Sequence, residues 1–458
     1  MNSYKIYLIM LLQLCCLPMA AQLNGTGFYR IRNAQNTNDY ISMANDKFNY
    51  LTAISTACGG LGQASSSAGQ ARAFECVGRF LQTDIHMVED AECINPGAVV
   101  YAQKRNTNTS NYDYNLIGQG TSLLTLTTGT YDGTLDLVFK DRYITIEKVS
   151  GSGSGTLYTA KIELKSSTYS SLANLGFRYF VDNEGTFGIN ASSSNQNAKW
   201  YVEPVTHFNV NPEVEFGGKY YTTLYVPFAY KLNGNVEKAY AIKSIPSDGN
   251  LEIEEVAANG GTVPAGTPVL LECSSSVATE CQLIPSGAPL YTAPQNVSNA
   301  NAPTATTATN YTGVNVLSGT YFSNQDGSLS FSTPNGTGTI NANNFTAATN
   351  PQKYVVGITA SGKLGFVKAT GTAMPANKAW LEYTGTAELV LPFEATKIGD
   401  VNRDGLVDVS DVTALVDIIL GKDPDNVFDH VAANVNNDNI IDVSDVTALI
   451  DIILGKEE

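Results

Sequence analysis

Two hydrophobic rhythms divide the chain. Over residues 22–395 apolar positions recur with the period of two that places alternate side chains on one face of a strand. Gly27-Phe28-Tyr29-Arg30-Ile31-Arg32-Asn33 alternates as a half-buried strand does, and Val99–Ala102 and Phe177–Val181 are similar. Asp132-Gly133 and Asn183-Glu184-Gly185 are turn signals, and Gly151-Ser152-Gly153-Ser154-Gly155 reads as a flexible loop tip. Lys199-Trp200-Tyr201-Val202-Glu203-Pro204 closes a first β domain at residues 22–205. A second β unit, residues 206–395, has strands expected at Leu224–Phe228 and Leu389–Phe393. Within it Val263–Leu271 echoes Met374–Glu382, each a Pro-Ala turn followed by an apolar strand, which predicts a hairpin repeated in a sandwich. Residues 291–350, rich in Ala, Thr and Asn, are expected to form long loops.

The second rhythm has the helical period and is confined to the end of the chain. Asp408–Lys422 recurs at Asp442–Lys456, 34 residues later, with one change, Val416 to Ile450. Val412, Leu415, Val416 and Ile419 have the spacing of a buried helical face. Ser410 and Ser444 are expected to cap these helices, and Gly421 and Gly455 to end them. The predicted fold class is therefore mostly β. It comprises an N-terminal β-trefoil-like or sandwich domain, a central β-sandwich-like domain, and a small α-helical module at residues 396–458.

Charge changes this picture at the C-terminus. The net charge is −16, and residues Thr396 to Glu458 carry 14 Asp and Glu against 4 Lys and Arg. That distribution argues against nucleic-acid or anionic-membrane binding, which need clustered Lys and Arg, and points to bound cations. Each repeat opens with oxygen ligands at EF-hand spacing. In the first, Asp400, Asn402, Asp404, Leu406, Asp408 and Asp411 occupy positions 1, 3, 5, 7, 9 and 12, with Gly405 at the sharp turn. In the second the same positions hold Asn434, Asn436, Asp438, Ile440, Asp442 and Asp445, with Asn439 in place of glycine. Leu406 and Ile440 would contribute backbone carbonyls. A hard cation needs six to eight oxygens, so two calcium ions are expected, the second held more weakly because its loop has three carboxylates against four.

A duplicated loop-then-helix unit without the leading helix of an EF-hand resembles a type I dockerin over about residues 397–458. The resemblance implies docking onto a cohesin domain of a scaffold or cell-surface protein. It assigns recognition to Val409, Ser410, Val416, Asp417 and Gly421, and to Val443, Ser444, Ile450, Asp451 and Gly455. The Val-Ser pairs differ from the best-known cellulosomal pairs, which leaves the partner open. The opening Phe28-Tyr29-Arg30-Ile31-Arg32-Asn33, with Tyr40-Ile41, resembles ricin-type β-trefoil repeats of bacterial surface proteins. The Gln-x-Trp repeats of sugar-binding trefoils are absent, since Ala198 stands two before Trp200. The central unit resembles β-sandwich regions of uncharacterised secreted bacterial proteins, a resemblance that implies no activity.

Lys5, the apolar run Ile6–Leu17 and the small residues before Gln22 read as a signal peptide cleaved after Ala21, which predicts secretion. The run is too short to span a membrane. Beyond it lie Cys58, Cys76, Cys93, Cys273 and Cys281. An oxidising compartment permits disulfides, and Cys273 and Cys281, flanking a Ser-rich stretch, are placed to pair. No Cys or His spacing suits zinc. No His-Glu-x-x-His, Gly-x-Ser-x-Gly or phosphate-binding glycine loop occurs. Glu213/Glu215 and Glu252/Glu254 alternate as solvent-facing strand charges. Three readings follow: a secreted non-catalytic accessory protein whose β domains bind a glycan or a protein, a tethered polysaccharide-degrading glycoside hydrolase, and a structural surface protein. The missing catalytic constellation favours the first.

Overall fold

A computed structural model describes residues 25–42, 86–104, 114–117, 144–149, 157–164, 176–190, 192–289, 291–292, 304–305, 311–319, 324–325, 328–333, 336–341, 352–370, 373–393, 397–402, 404–423, 428–438 and 440–456. The protein is mostly β, and among the described residues the helices longer than a single 3-10 turn all lie in the C-terminal part. Among the described residues no helix is long and apolar enough to cross a membrane.

The N-terminal strands form one sheet that closes on itself. Gly27–Asn33 pairs with Val100–Lys104, which continues through Tyr114–Ile117, Ile144–Lys148 and Tyr158–Leu164. Trp200–Pro204 then pairs with both Tyr158–Leu164 and Gly27–Asn33 and completes a ring of six strands. Among the described residues two strand pairs stand outside the ring, the second of them a tight hairpin. One is Asp39–Ser42 with His86–Glu89, and the other is Gly176–Asn183 with Thr186–Asn190. The closed ring makes this part of the chain a near-barrel of antiparallel strands. Trp200, Phe180, Ile31 and Ile41 are fully buried in it. The second hairpin turns at Glu184 and Gly185, with φ of 53° and 82°, as its sequence predicts. Asp132-Gly133 and the Gly151–Gly155 stretch lie outside the described residues.

The first strand departs from simple alternation. Arg30 is buried beside Ile31, because its guanidinium lies over the Tyr40 ring at 3.6 Å and pairs with Asp90 at 2.7 Å. A hairpin strand covers what would otherwise be a solvent face.

Residues 206–393 are sandwich-like, as expected, with three sheets in layers. A four-stranded sheet (Phe208–Asn209, Cys281–Ser286, Ala229–Gly234, Thr262–Val263) packs on one face of a five-stranded sheet (Val214–Phe216, Lys219–Leu224, Val269–Cys273, Val236–Ser244, Glu252–Ala258). A further five-stranded sheet, which includes Gln352–Ile358, Leu364–Lys368 and Ala379–Tyr383, packs on the other face. The middle sheet is thus covered twice, and all five residues of Val269–Cys273 are buried. Val269, Leu271 and Cys273 join one core and Leu270 the other.

Several strand expectations shift. Leu224 ends a strand that begins at Lys219, and Tyr225–Phe228 is irregular. Pro227 lacks the N–H that a ladder needs. Only Leu389–Val390 is strand near the far end, ahead of Pro392. The two Pro-Ala stretches are not matching hairpins. They are matching turns, with positive φ at Gly266 (64°) and Asn377 (63°), that lead into strands of two different sheets. Both turns bond to one segment: Gly266 N–H donates to the Val226 carbonyl, and Asn377 Nδ2 donates to the Tyr225 carbonyl. Within 291–350, Ser328–Thr333 and Gly336–Asn341 pair as a hairpin where loops were expected.

Helices α1 (Val409–Ile419), α2 (His430–Ala433) and α3 (Val443–Ile453) complete the chain. Leu415, Leu449, Val401, Ala414 and Ala433 form their own small core. The turn at Gly218 meets α2, where a Cβ on Gly218 would lie 2.4 Å from Val431 Cγ1.

Candidate functional site

Each loop is organised around the aspartate at position 12. Asp411 is fully buried, and its two carboxylate oxygens accept the N–H groups of Asn402 at 3.0 Å and Asp408 at 2.9 Å. Asp445 repeats this with Asn436 at 3.1 Å and Asp442 at 2.9 Å. One side chain therefore ties the loop's third residue to the start of the following helix. The helix cap is the aspartate at position 9, not the serine two residues later. Asp408 has the extended backbone of a cap, accepts the Ser410 N–H at 2.7 Å, and forms a capping box with Asp411. Ser410 already lies within α1 and donates its hydroxyl to Asp408 at 2.6 Å. That hydroxyl first, and the N–H second, hold the Asp408 carboxyl below its ordinary range, and Ser444 does the same for Asp442.

Asp400 and Asp404 also bond within loop one, to backbone N–H groups and to the Asn402 amide. Asp400 accepts from the N–H groups of Asp404 at 3.1 Å and Gly405 at 3.0 Å. Asp404 accepts from Leu406 N–H at 2.9 Å, and Asn402 donates to Asp404 at 3.0 Å. Gly405 has φ of 87° with open space where a Cβ would stand, so the backbone angle alone calls for glycine. In loop two Asn437 takes a left-handed φ of 58°, while Asn439 lies outside the described residues. Asp438 accepts from Ile440 N–H at 2.9 Å, and Asn436 donates to Asp438 at 3.1 Å.

The donor set suits a hard cation, being oxygen throughout. One atom marks the second loop in particular. Asn434 Oδ1, at position 1, is buried without a hydrogen-bond partner. An unmet buried acceptor is costly unless something supplies positive charge to it. Among the described residues no three carboxylate, imidazole or thiolate side chains converge on one point. The loops instead combine carboxylates with amide oxygens and backbone groups.

The residues assigned to recognition do not share one role. Val409 and Val443 are 71% and 70% exposed. Ser410 and Ser444 are exposed beside them. Val416 and Ile450 are exposed too, which removes Val416 from the buried face expected of it. Asp417 lies 3.5 Å from Lys422, and Asp451 lies 3.7 Å from Lys456. Gly421 and Gly455 end their helices with φ of 66° and 65°. The N–H groups of Lys422 and Gly421 bond back to the carbonyls of Asp417 and Ile418, as in a Schellman motif.

Sequence reasoning missed Leu420 and Leu454, which are 59% and 58% exposed. They extend a helical stripe of Val409, Thr413, Val416 and Leu420, matched by Val443, Thr447, Ile450 and Leu454, at spacings i, i+4, i+7 and i+11. The signal was legible as a second apolar stripe beside the one that fills the core. Leu406 and Ile440 also turn their side chains outward.

Elsewhere, Glu213 pairs with Lys378 at 2.9 Å and Glu254 with Lys243 at 3.6 Å, as surface ion pairs. An open polar cleft of about 540 Å³ in the N-terminal β unit is lined by Asn36, Asn38, Asp39, Met87, Glu89 and Glu184, among others. Burial first, and then the charge of Asp182, pushes the Asp39 carboxyl above its ordinary range. Cys93, Cys273 and Cys281 are buried free thiols, and burial pushes Cys93 up to about 11. Cys58 and Cys76 lie outside the described residues.

These features define a mostly β protein carrying a duplicated loop–helix module. No protein-family model matches the chain, and no curated protein matches it. Among solved structures, one described as "Structure and mode of action of a mosquitocidal holotoxin" aligns over 80% of this chain at 10% identity and a TM-score of 0.23. The aligned region covers 34% of that chain, and a likeness at this level carries no argument.

Proposed function

We propose that the chain is a secreted, non-catalytic accessory protein whose dockerin-like C-terminal module binds two calcium ions and docks onto a cohesin-like partner. The observation that supports docking is the doubled apolar stripe. Two helices expose the same residue types to nearly the same extent, although exposed valine and leucine at helical spacing serve no core. Calcium binding is supported by the oxygen-only loops and by the unpartnered Asn434 Oδ1. Asp400, Asn402, Asp404, Leu406, Asp408 and Asp411 would hold one ion. Asn434, Asn436, Asp438, Ile440, Asp442 and Asp445 would hold the other. A bound cation offsets the mutual repulsion of seven loop carboxylates and links metal binding to the stability of the module. The β domains would bind a glycan or a protein, and the amide- and carboxylate-lined cleft offers hydroxyl-rich ligands suitable partners.

Titration of the full chain with calcium, followed by calorimetry and by binding to a panel of cohesin domains, tests this. Saturable uptake of two ions and calcium-dependent capture by a cohesin are expected. A chain that melts identically in chelator and in millimolar calcium would remove the metal reading. Reproducible release of reducing sugar from a polysaccharide, abolished by one carboxylate substitution, would overturn the non-catalytic reading.

A further inference from the structure

We propose that Cys273 and Cys281 form a disulfide that joins two sheets of the central unit at their shared corner. Cys273 ends a strand of the middle sheet, and Cys281 begins a strand of the four-stranded sheet. Both side chains are fully buried, and both belong to the single apolar cluster between these sheets. The register brings them together. Cys281 stands opposite Gly234 and Cys273 opposite Val236, two positions apart on one continuous backbone. Asn235, between those two, is clamped from both sides. It receives the Ser274 N–H on its carbonyl and donates its own N–H to the Glu280 carbonyl, each at 2.9 Å. Cys281 Sγ donates to the Ser275 carbonyl at 3.3 Å. Strand ends tied to the same three residues, with both side chains in the same core, make these two thiols the pair placed to bridge. Cys93 is aimed elsewhere, with its Sγ 3.7 Å from the His207 carbonyl.

The bond forms by exchange with a disulfide-bearing oxidant of the thiol oxidoreductase class, during folding, while the thiols are still reachable. One cysteine thiolate attacks the oxidant's disulfide, forms a mixed disulfide and expels a thiolate. The second cysteine thiolate then attacks the protein-side sulfur and expels the other. The protein dithiol loses two protons and two electrons, and the oxidant leaves as a dithiol. The product is a small ring that pins Ser274–Glu280 to the Gly234–Val236 turn and couples the two sheets covalently.

The test compares the full chain secreted into an oxidising compartment with the same chain made in a reducing one. Each is denatured without reductant, alkylated, digested and mapped by mass. The expected result is a linked peptide pair containing Cys273 and Cys281, lighter than the two free peptides by two hydrogens, in the secreted chain only, with Cys93 alkylated. The linked chain should melt several degrees higher. Reductant should abolish that difference, and the Cys273→Ala/Cys281→Ala chain should not show it. Full alkylation of both cysteines in the secreted chain, denatured without reductant, would overturn the proposal, as would linkage of Cys93 to either of them. Neither result bears on calcium or on docking.

Discussion

Glu272 shows how much one residue depends on its surroundings. It sits in Val269-Leu270-Leu271-Glu272-Cys273 and is buried, and its carboxylate accepts the hydroxyls of Tyr240 at 3.2 Å and Tyr221 at 3.5 Å. Burial pushes its pKa above the ordinary 4.5, and the Tyr240 hydrogen bond opposes only part of that. The folded state therefore holds the proton more tightly than the unfolded chain does. This carboxyl's contribution to stability is fully present below pH 4.5 and is lost as pH rises through the folded value. Glu272→Gln removes the titration while keeping the shape. Denaturant unfolding at a series of pH values should show the variant gaining on the wild type as pH rises above 4.5. Parallel profiles would show that the carboxylate is not desolvated. Asn434 carries the second residue-scale expectation. Asn434→Ala should leave the calcium-free chain no less stable, because the oxygen it removes has no partner. It should also weaken calcium binding at loop two by at least about tenfold, the lower bound for supporting groups around a metal. Calorimetric titration separates the two effects.

At the scale of elements, the loop–helix units carry their instructions locally. Asp408 caps α1 through Ser410 and Asp411, and Asp442 caps α3 through Ser444 and Asp445. These contacts span two or three positions, so the spacing of aspartates and serines revealed the helix starts to within two residues. The choice of cap between Asp and Ser was not legible, because both residue types favour that position. Gly421 and Gly455 were expected to end the helices, and their left-handed φ shows why glycine stands there. Gly421→Ala and Gly455→Ala should each destabilise the module by about 1 kcal/mol, the penalty for a side chain in that conformation. A lowered melting transition of the module in each variant is the check. The β elements were less legible. Tyr225–Phe228 has the composition of a strand, yet its neighbours are the turns at Gly266 and Asn377 rather than a ladder partner.

At the scale of the whole molecule, the repeated helices matter as a pair. If one partner surface accepts either stripe, recognition survives the loss of one. Asp417 and Asp451 lie on the two helices in equivalent places, each near the lysine that follows its own helix. Asp417→Lys alone and Asp451→Lys alone should each leave most affinity for a cohesin-like partner, and the double substitution should lose it, a strongly non-additive result. Abolition by one single substitution would show that the two faces are not equivalent. The module's attachment is also a property of the whole. Phe393 packs on Tyr221 and Tyr240, with ring centroids 5.4 and 5.3 Å away, and the module's first described residue follows at Lys397.

What the sequence by itself determined is what short-range contacts set. Strand and helix periods, the hairpin turn at Glu184-Gly185, the duplicated oxygen loops and the glycine helix ends all follow from residues a few positions apart. Tertiary structure decided the rest. It closed the six-stranded ring through Trp200–Pro204 on Gly27–Asn33, where Arg32 and Glu203 meet at 2.6 Å across 171 positions. It buried Arg30 against Asp90, covered the middle sheet on both faces, and set Cys273 beside Cys281 around Asn235. The physical reason is that a strand's own residues specify its pleat and its apolar face but not its neighbour. Register and burial are settled by which distant segments pack against it.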